Sequence, residues 1–581
     1  MSTATDLNND PFTQGSGLAN IESALNYVHG TDGVFIVYND MSYSNIKKVI
    51  EPAIDNINST SIGFEKFQFP SKSLPMTSWF AGQLLPGDRT TSTFTIKNPT
   101  NDTLTVNIKS KNLSLISKTQ FNGTTIPRQQ DSILNKTDSF IPNYVQLSDV
   151  NNHDELGDFF NEQNPIPDKS SLMILNVNFP FTEFMNSTTN VYADDIKISS
   201  LYLYDWVDSN NNTKITSDEL SMINRSGSWG TVQELRVSEP QEKFEGIPLV
   251  GVYPVPSKYS YWLGDTKQNS TSMEYTLSAS YYQKDDWSVM WPETEIISVP
   301  SNGISTIDVT LVAPTDLQTG VYQGFLTFES DQHTVNAPVS FVVKQPILEN
   351  DSTVLIKGKQ SDDVLYGSGY TKGAFDMVNR YMAGDWRQYY FDIQNESINS
   401  ASIELSWITD DTNLAVFVMD PSGKIIQTNV PSGVFGHFLG WPSLDWLGNS
   451  PFSQGGGFYP VKNKDDTSTV LFAPINQTGT YTLLTHSTLF GGISITEPIT
   501  LAVKFSNISS DVSKNEQIDD KSENVIPQEK SILLHETIPE DKIIENTLSN
   551  SSLGLGVAIG IVIGIAIGIV FVFIIRQKSS K

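Results

Sequence analysis

Residues 93–100 read TFTIKNPT, and stretches of this kind decide the fold. Phe94 and Ile96 alternate with threonine and lysine, and the stretch ends at an Asn-Pro turn, so it predicts a half-buried β-strand. The stretch at 305–312 alternates in the same way, and GVYQGFLTF at 320–328 predicts the next strand. Short strands divided by glycine and proline turns are typical of β-sandwiches. The sequence therefore predicts a mainly β fold made of tandem β-sandwich modules.

The composition fits large β modules and argues against several classes of protein. With 581 residues, the chain is long enough for about three or four domains. Lys and Arg number 37 against 65 Asp and Glu, and this net charge of −28 repels phosphate backbones, so we expect no nucleic-acid partner. The chain has no cysteine, which excludes disulfides, thiol nucleophiles and cysteine-based metal sites.

Shifts in composition along the chain predict its organisation. Residues 508–552 are polar and acidic with almost no aromatic side chains, which indicates a disordered stalk. The predicted segments are the closing part of a preceding domain at 1–30, a β domain with inserts at 31–240, a second β-sandwich at 241–346, a third β unit at 350–506, the stalk at 508–552, a transmembrane helix at 553–575 and a tail at 576–581.

The C-terminal region predicts a single membrane span. Residues 553–575 form an unbroken apolar run, which at about 1.5 Å per residue is long enough to cross a hydrocarbon core of about 30 Å. Arg576, Lys578 and Lys581 follow at once, and acidic residues dominate the segment before the run. The positive-inside rule then places residues 576–581 in the cytoplasm and the rest of the chain outside the cell membrane.

Glycine recurs at every fourth position of this span, which gives one smooth helix face. Such a face suits the close approach of two membrane helices in a dimer, but glycine is also common in membrane helices in general, so both interpretations stay open. The residues concerned are Gly556, Gly560, Gly564 and Gly568.

One stretch, DSNNNTKITSDE at 208–219, resembles an EF-hand-type calcium loop. Side-chain oxygens stand at loop positions 1, 3 and 5, and a glutamate stands at position 12. Thr213 occupies the position where glycine eases the turn, and two carboxylates imply weak Ca²⁺ binding. The alternative is a polar turn between a strand at 201–206 and a short helix at 218–224. The predicted ligands are Asp208, Asn210, Asn212, the carbonyl of Lys214, and Glu219.

No catalytic motif is recognisable in the sequence. The Gly-Ser-Gly triplets at 15–17 and 367–369 lack the Gly-x-Ser-x-Gly spacing of a nucleophile elbow, and neither a phosphate loop nor a His-Glu-x-x-His zinc motif occurs. No histidine stands in a glycine-rich context with a partner aspartate and serine; the six are His29, His153, His333, His437, His486 and His535.

The N-terminal residues resemble the closing segment of the catalytic domain in subtilisin-like serine proteases. Residues 10–20 read DPFTQGSGLAN, and Ile21, Ala24, Leu25 and Val28 follow on one face of a predicted helix. In those proteases a Gln-Gly-x-Gly turn leads into the last helix. A generic glycine turn before a helix is the alternative. The matching residues are Gln14, Gly15, Gly17, Asn20 and Ala24.

The layout after this segment also resembles the C-terminal extensions of large cell-surface subtilases. The block from Thr77 resembles their fibronectin-III-like domain, and residues 350–506 resemble appended jelly-roll, prepeptidase-type domains. A subtilase needs an Asp, a His and a Ser in that order, with the serine in a Gly-Thr-Ser-Met-Ala-type motif. No such set of motifs is recognisable in this sequence. The resemblance thus implies a non-catalytic part of a membrane-anchored endopeptidase, inactive alone, that stabilises, positions and anchors the protease.

The competing interpretation is a structural or adhesive surface protein whose β modules bind glycans or proteins. Trp441 and Trp446 are candidates for stacking on sugars, although such residues are more often loop anchors. Asn-x-Ser/Thr sequons are consistent with a glycoprotein. They stand at Asn58, Asn101, Asn112, Asn122, Asn135, Asn186, Asn211, Asn224, Asn269, Asn350, Asn395, Asn476, Asn507 and Asn550.

Overall fold

The structure is a computed structural model. It describes residues 2–60, 75–124, 160, 165–180, 197–211, 219–228, 231–256, 274–358, 363, 365, 367–372, 385–410, 412–429, 467–489 and 495–508. All of them belong to one compact unit, Met1–Ser509. A second unit, Ser510–Lys581, contains the predicted transmembrane helix, the tail and all of the predicted stalk except its first two residues. Residues from 509 onward lie outside the described residues.

The described residues are mainly β-strands, which confirms that the fold is mainly β. The helices are α1 (Pro11–Gln14), α2 (Ile21–His29) and α3 (Met41–Thr60), with a 3₁₀ turn at Pro240–Glu242. No helix in the described part of the chain is long and apolar enough to cross a bilayer. The strands, in chain order, are β1 (Ile36–Tyr38), β2 (Trp79–Leu84), β3 (Arg89–Lys97), β4 (Leu104–Thr124), β5 (Leu172–Asn178), β6 (Lys197–Trp206), β7 (Leu220–Ser228), β8 (Val232–Ser238), β9 (Ile247–Pro256), β10 (Glu274–Asp286), β11 (Met290–Pro292), β12 (Ile296–Val299), β13 (Ile304–Val312), β14 (Gly320–Glu329), β15 (Thr334–Val343), β16 (Gln345–Ile347), β17 (Thr353–Lys357), β18 (Tyr370–Lys372), β19 (Trp386–Ile393), β20 (Ser400–Ser406), β21 (Asn413–Met419), β22 (Ile425–Thr428), β23 (Ser468–Pro474), β24 (Gly479–Leu489), β25 (Thr496–Pro498) and β26 (Thr500–Ser506).

The N-terminal body, which contains β1–β15, is built around two facing sheets. Their strand orders are β1-β3-β13-β11 and β2-β15-β14-β4-β10-β5-β8, and β12 also pairs with β4. The alternation seen in the sequence places Phe94 and Ile96 in the core between these sheets, together with Trp79, Ile307 and Phe328. A smaller sheet, β7-β6-β9, supplies Leu201 and Leu203 to a second core, which covers the far end of the large sheet.

Strand pairing in this body crosses the predicted boundary between 31–240 and 241–346. Strand β3 pairs with β13, so that Phe94 lies opposite Ile307, and β4 pairs with β10 and β14. Early and late strands therefore share both sheets, and a division at residue 240 would cut hydrogen-bonded ladders.

The C-terminal body contains β16–β26 and is a second sandwich. Its sheets have the orders β16-β19-β24-β21-β22 and β17-β26-β20-β23, with the short pair β18-β25 beside them. Tyr389, Leu405, Val416 and Leu501 lie in the core between the sheets.

The two bodies touch through polar and apolar contacts. Lys344 Nζ lies 3.0 Å from Asp392 Oδ1, and Thr319 Oγ1 donates a hydrogen bond to Tyr390 O at 2.9 Å. Ile495 of the C-terminal body packs in one apolar cluster with Tyr282 of β10. These contacts position the cleft described below.

The predicted short helix at 218–224 is wrong, because its residues from Leu220 onward form strand β7 instead. Leu220 pairs with Trp206, and Met222 pairs with Tyr204, across an antiparallel ladder. Tertiary pairing with β6 therefore determines the local structure. The predicted helix after the N-terminal glycine turn is confirmed as α2.

Candidate functional site: the N-terminal segment and the cleft between the bodies

The Gln-Gly-x-Gly turn of the N-terminal segment is held by its glutamine. Gln14 Oε1 accepts hydrogen bonds from the backbone N–H groups of Leu7 and Asn9, each at 3.0 Å. Its Nε2 donates to Asp6 Oδ1 at 2.7 Å. Gly17 has a φ of +111°, and a Cβ there would lie 2.1 Å from the carbonyl oxygen of Thr5, so the turn requires glycine.

The segment before α2 is anchored to the N-terminal body by charged and polar contacts. Asp10 Oδ2 lies 2.5 Å from Arg236 Nη1, and the backbone N–H of Phe12 donates to Gln323 Oε1 at 2.8 Å. Lys284 forms an ion pair with Asp6 and donates to Asn8 Oδ1 at 2.6 Å. Residues 2–18 are thus fixed on strands of the large sheet.

Helix α2 is well formed but buries none of its residues. Asn20 caps its N-terminus by accepting a hydrogen bond from Ser23 N at 3.0 Å, and Gly30 ends it in the left-handed conformation. Its apolar stripe is open to solvent: Ile21 is 77%, Leu25 52% and Val28 73% exposed. A surface helix normally turns such a stripe toward a core. The apolar face of α2 is therefore an uncovered surface in the described part of the protein.

A cleft of about 1010 Å³ lies between α3, the large sheet and the C-terminal body. Its helical wall carries Ile46, Val49 and Ile50, and Phe80 lies on the strand beside it. Its other walls include aromatic and amide side chains, among them Tyr322, Gln323, Trp386, Gln388 and Tyr390.

The charged side chains that line the cleft are paired with one another or with Glu234. Arg236 contacts both Asp10 and Glu234, at 2.5 and 2.7 Å, and Lys372 Nζ lies 3.9 Å from Glu234 Oε2. Arg387 Nε lies 2.5 Å from Asp385 Oδ2. Three carboxylates thus balance three cations, and the network joins the N-terminal segment, strand β8 and the C-terminal body.

The network favours the ionised form of the Asp10 and Glu234 carboxylates by lowering the pKa of each. Burial acts to raise the pKa of Asp10, but the hydrogen bond from Thr13 and the charge of Arg236 outweigh it and hold that pKa below its ordinary value. Burial likewise acts to raise the pKa of Glu234, but the charges of Lys372 and Arg236 lower it overall.

The predicted calcium loop is described only in part. Asp208, Asn210 and Glu219 lie within the described residues, whereas Asn212 and Lys214 lie outside them. The backbone N–H of Val207 donates to Glu219 O at 3.0 Å, which closes the hairpin between β6 and β7. Within the described part of the chain, no group of three or more His, Asp or Glu side chains gathers to hold a metal ion.

The Glu219 carboxylate is nevertheless buried at the base of this hairpin. It is 5% exposed, and its Oε1 accepts hydrogen bonds from Asn210 Nδ2 at 2.6 Å and Ser209 Oγ at 3.2 Å. Among the described residues its Oε2 has no hydrogen-bond partner. The fragment of the loop thus brings two of the five predicted ligands together.

The described histidines make packing contacts. His333 Nε2 lies 3.2 Å from the carbonyl oxygen of Ser2, and its ring meets Phe35 edge-on at 5.2 Å. His486 stacks on Trp386 at 4.0 Å, and His29 ends α2. The other histidines, Trp441, Trp446 and the glycine face at Gly556–Gly568 lie outside the described residues.

Sequence reasoning missed the cleft and its charge network. The described walls come from residues as distant as Ile50 and Gln388, so no local motif marks them. Glu234 and Arg236 alternate with buried Gln233, Leu235 and Val237 along β8, as polar residues do in any half-buried strand, so they give no distinctive signal in the sequence.

Comparison with known proteins gives no family for this chain. No protein-family model and no curated protein matches it. A family 123 glycoside hydrolase from Clostridium perfringens is similar at 8% identity over 53% of this chain and 27% of that chain, with a TM-score of 0.14. The secreted serine protease VesC from Vibrio cholerae is similar at 8% identity over 74% of this chain and 48% of that chain, with a TM-score of 0.18. Tandem CBM51 modules of a family 98 glycoside hydrolase from Streptococcus pneumoniae are similar at 9% identity over 59% of this chain and 79% of that chain, with a TM-score of 0.14. The chain spans about a quarter and about half of the length of the first two. Likeness at this level carries no argument about fold or function.

Proposed function

We propose that this chain is the non-catalytic C-terminal part of a cell-surface, subtilisin-like serine endopeptidase. In this proposal the N-terminal body corresponds to a fibronectin-III-like region with an inserted sheet, and the C-terminal body to a jelly-roll, prepeptidase-type domain. The two bodies stabilise and position a catalytic domain, which supplies the Asp, His and Ser that act on peptide bonds.

The observation that carries the proposal is the uncovered apolar face of α2. The helix follows the Gln-Gly-x-Gly turn that resembles the end of a subtilase catalytic domain, and its stripe is formed by Ile21, Leu25 and Val28. The residues before it are fixed to the N-terminal body by Asp10 and Phe12. An amphipathic helix held in place with its apolar face free suits contact with another folded domain.

The membrane anchor is part of the same proposal. The apolar run at 553–575 and the basic residues after it support a single span, with the β bodies outside the cell. Limited proteolysis of intact cells should cut the stalk at 508–552 first and release the bodies as one soluble piece. Stalk cleavage that appears only after cell lysis would show that the bodies lie inside.

Calcium binding at 208–219 is a second part of the proposal. It is supported by the buried Glu219 carboxylate, whose Oε2 has no hydrogen-bond partner among the described residues. A carboxylate oxygen of this kind is a hard donor that suits Ca²⁺.

The alternative function is a structural or adhesive surface protein. The cleft favours it, because a preformed cavity at a domain boundary can bind a ligand without any catalytic domain.

The DNA immediately upstream of the Met1 codon separates the two functions. A segment in frame or adjacent that encodes the Asp, His and Ser motifs of a subtilase is the expected result, whereas an unrelated gene would favour the adhesive protein. The isolated chain should not label with a fluorophosphonate serine probe, since it lacks a recognisable nucleophile and base. Labelling that a single serine substitution abolishes would contradict the proposal.

A further inference from the structure

We infer that the cleft between α3 and the C-terminal body is a binding site for an uncharged, apolar stretch of extended polypeptide. The cleft has a volume of about 1010 Å³, at the upper end of the range of about 300–1,000 Å³ that is usual for ligand sites. Such sites occur preferentially at domain boundaries and are usually formed before the ligand arrives.

The helical wall is held in place independently of any ligand. Asn39 Oδ1 accepts a hydrogen bond from Ser42 N at 3.0 Å and so caps α3. Ser42 Oγ accepts from Phe80 N at 3.0 Å, and Asn45 Nδ2 donates to Phe80 O at 2.9 Å. The first turns of α3 are therefore fixed on strand β2, and the wall is already formed.

The apolar side chains of this wall are accessible. Ile46, Val49 and Ile50 follow the spacing that places residues on one face of a helix. Val49 is 38% and Ile50 42% exposed, and Phe12 is 59% exposed at the cleft. Because exposed aliphatic side chains in a cavity lose contact with water when the apolar groups of a ligand cover them, this burial favours binding.

The charges around the cleft argue against a charged ligand. The charged lining residues that the structure describes are Asp10, Arg236, Lys372, Asp385 and Arg387, and each is already paired. A charged ligand would lose hydration there and find no unpaired counter-charge.

The tyrosines of the cleft are neutral as well. Burial raises the pKa of Tyr322 and that of Tyr390, each to about 12, so both phenols stay protonated at physiological pH. Both hydroxyls are engaged within the chain: Tyr322 OH donates to Gln318 O at 2.8 Å, and Tyr390 OH donates to Gln388 Oε1. A ligand at the helical wall therefore meets mainly aliphatic surface, which suits apolar side chains better than the hydroxyl-rich surface of a glycan.

The identity of the polypeptide rests on the proposed function: for a protease accessory module, it is a stretch of an unfolded protein substrate. The binding itself does not require the catalytic domain. Peptide binding can therefore be observed even if the protease proposal is wrong, and either proposal can fail without the other.

Fluorescence anisotropy of the full chain tests the inference. The probes are fluorescein-labelled decapeptides with alternating Leu and Ser, alternating Asp and Ser, or alternating Lys and Ser, and cellohexaose serves as an uncharged glycan competitor. We expect the Leu-Ser peptide to bind with a dissociation constant of about 1 mM or lower, and each charged peptide to bind at least about tenfold more weakly.

Ile50→Asp should weaken binding of the Leu-Ser peptide at least about tenfold, since it places an unpaired carboxylate on the apolar wall. Ile304→Asp is the matched control, because Ile304 is 56% exposed and does not line the cleft; it should leave binding unchanged. No binding of the Leu-Ser peptide, equal binding of the charged peptides, displacement by cellohexaose, or equal binding by Ile50→Asp and the unaltered chain would each overturn the inference.

Discussion

The first thirty residues divide into two regions that behave differently. Residues 2–18 are tied to the N-terminal body by buried or half-buried polar side chains, of which Asp10 is only 3% exposed. Helix α2 follows directly, yet it has no buried residue and exposes Ile21 and Val28 almost fully. Residues 2–18 are thus held on the N-terminal body, whereas the apolar face of α2 is left exposed. Under the proposed function, the polar contacts serve stability, and the apolar helix face serves contact with another domain.

The largest loss of stability should come from removing Arg236, which pairs with Asp10 and holds residues 2–18 on the N-terminal body. Arg236→Met leaves the Asp10 and Glu234 carboxylates without their closest partner, and breaking a buried pair in this way costs about 3–5 kcal/mol. The free energy of unfolding from urea titration measures it.

A matched variant supplies the control for this change. Lys109→Met removes a pair with Glu329 in which the lysine side chain is 50% exposed, so the loss should stay within about 1 kcal/mol. Equal losses in the two variants would mean that the Arg236 network does not secure the segment.

The pH dependence of stability should show the same network. The folded-state pKa of Asp10 is lowered from 3.8, so its contribution is present above that pH and is lost as the pH falls through the lower folded value. Asp10→Asn should therefore be less stable than the unaltered chain at neutral pH, and the gap should close below about pH 4. Urea titrations between neutral pH and the acid range measure the gap, and a gap that widens on acidification would contradict this sign.

A smaller gain in stability is expected from Ca²⁺ at 208–219. Millimolar Ca²⁺ should raise the thermal midpoint by mass action, with a stabilisation of about 1 kcal/mol when the free ion exceeds its dissociation constant severalfold. Asp208→Ala and Glu219→Ala should both remove the gain. A midpoint that responds neither to Ca²⁺ nor to EDTA would leave 208–219 as a polar turn.

The smallest change in stability is expected from substitutions on the exposed apolar face of α2. Ile21→Ser and Leu25→Ser should change the free energy of unfolding by no more than about 0.5 kcal/mol, because neither side chain is buried. Val37→Ser, at a residue with no exposed surface, should cost several times more. A loss at Ile21 comparable to that at Val37 would show that α2 packs within this chain.

Local pattern predicted part of the structure. The alternation around Phe94 and Ile96 identified strand β3, and the turn at Gln14–Gly17 preceded the expected helix α2. Both features depend on periodicity and glycine geometry, which a short stretch of sequence contains.

Features that depend on distant residues could not be predicted. One of the two partners of β3 is β13, which comes more than 200 residues later, and nothing local in either strand specifies that register. Residues 220–228 form a strand because β6 lies beside them. The cleft joins Ile50 to Tyr322 and Gln388, and the Asp10–Arg236 pair joins residues that are 226 positions apart in the chain.

Activity labelling of the native protein tests the central claim most directly. An antibody raised against residues 2–508 would capture the protein from detergent-solubilised membranes of its source cells, and the captured material would be treated with a fluorophosphonate probe. We predict a labelled serine hydrolase in the captured fraction, with labelling blocked by prior treatment with phenylmethylsulfonyl fluoride. Captured protein without label, beside labelled serine hydrolases in the same membrane extract, would contradict the account.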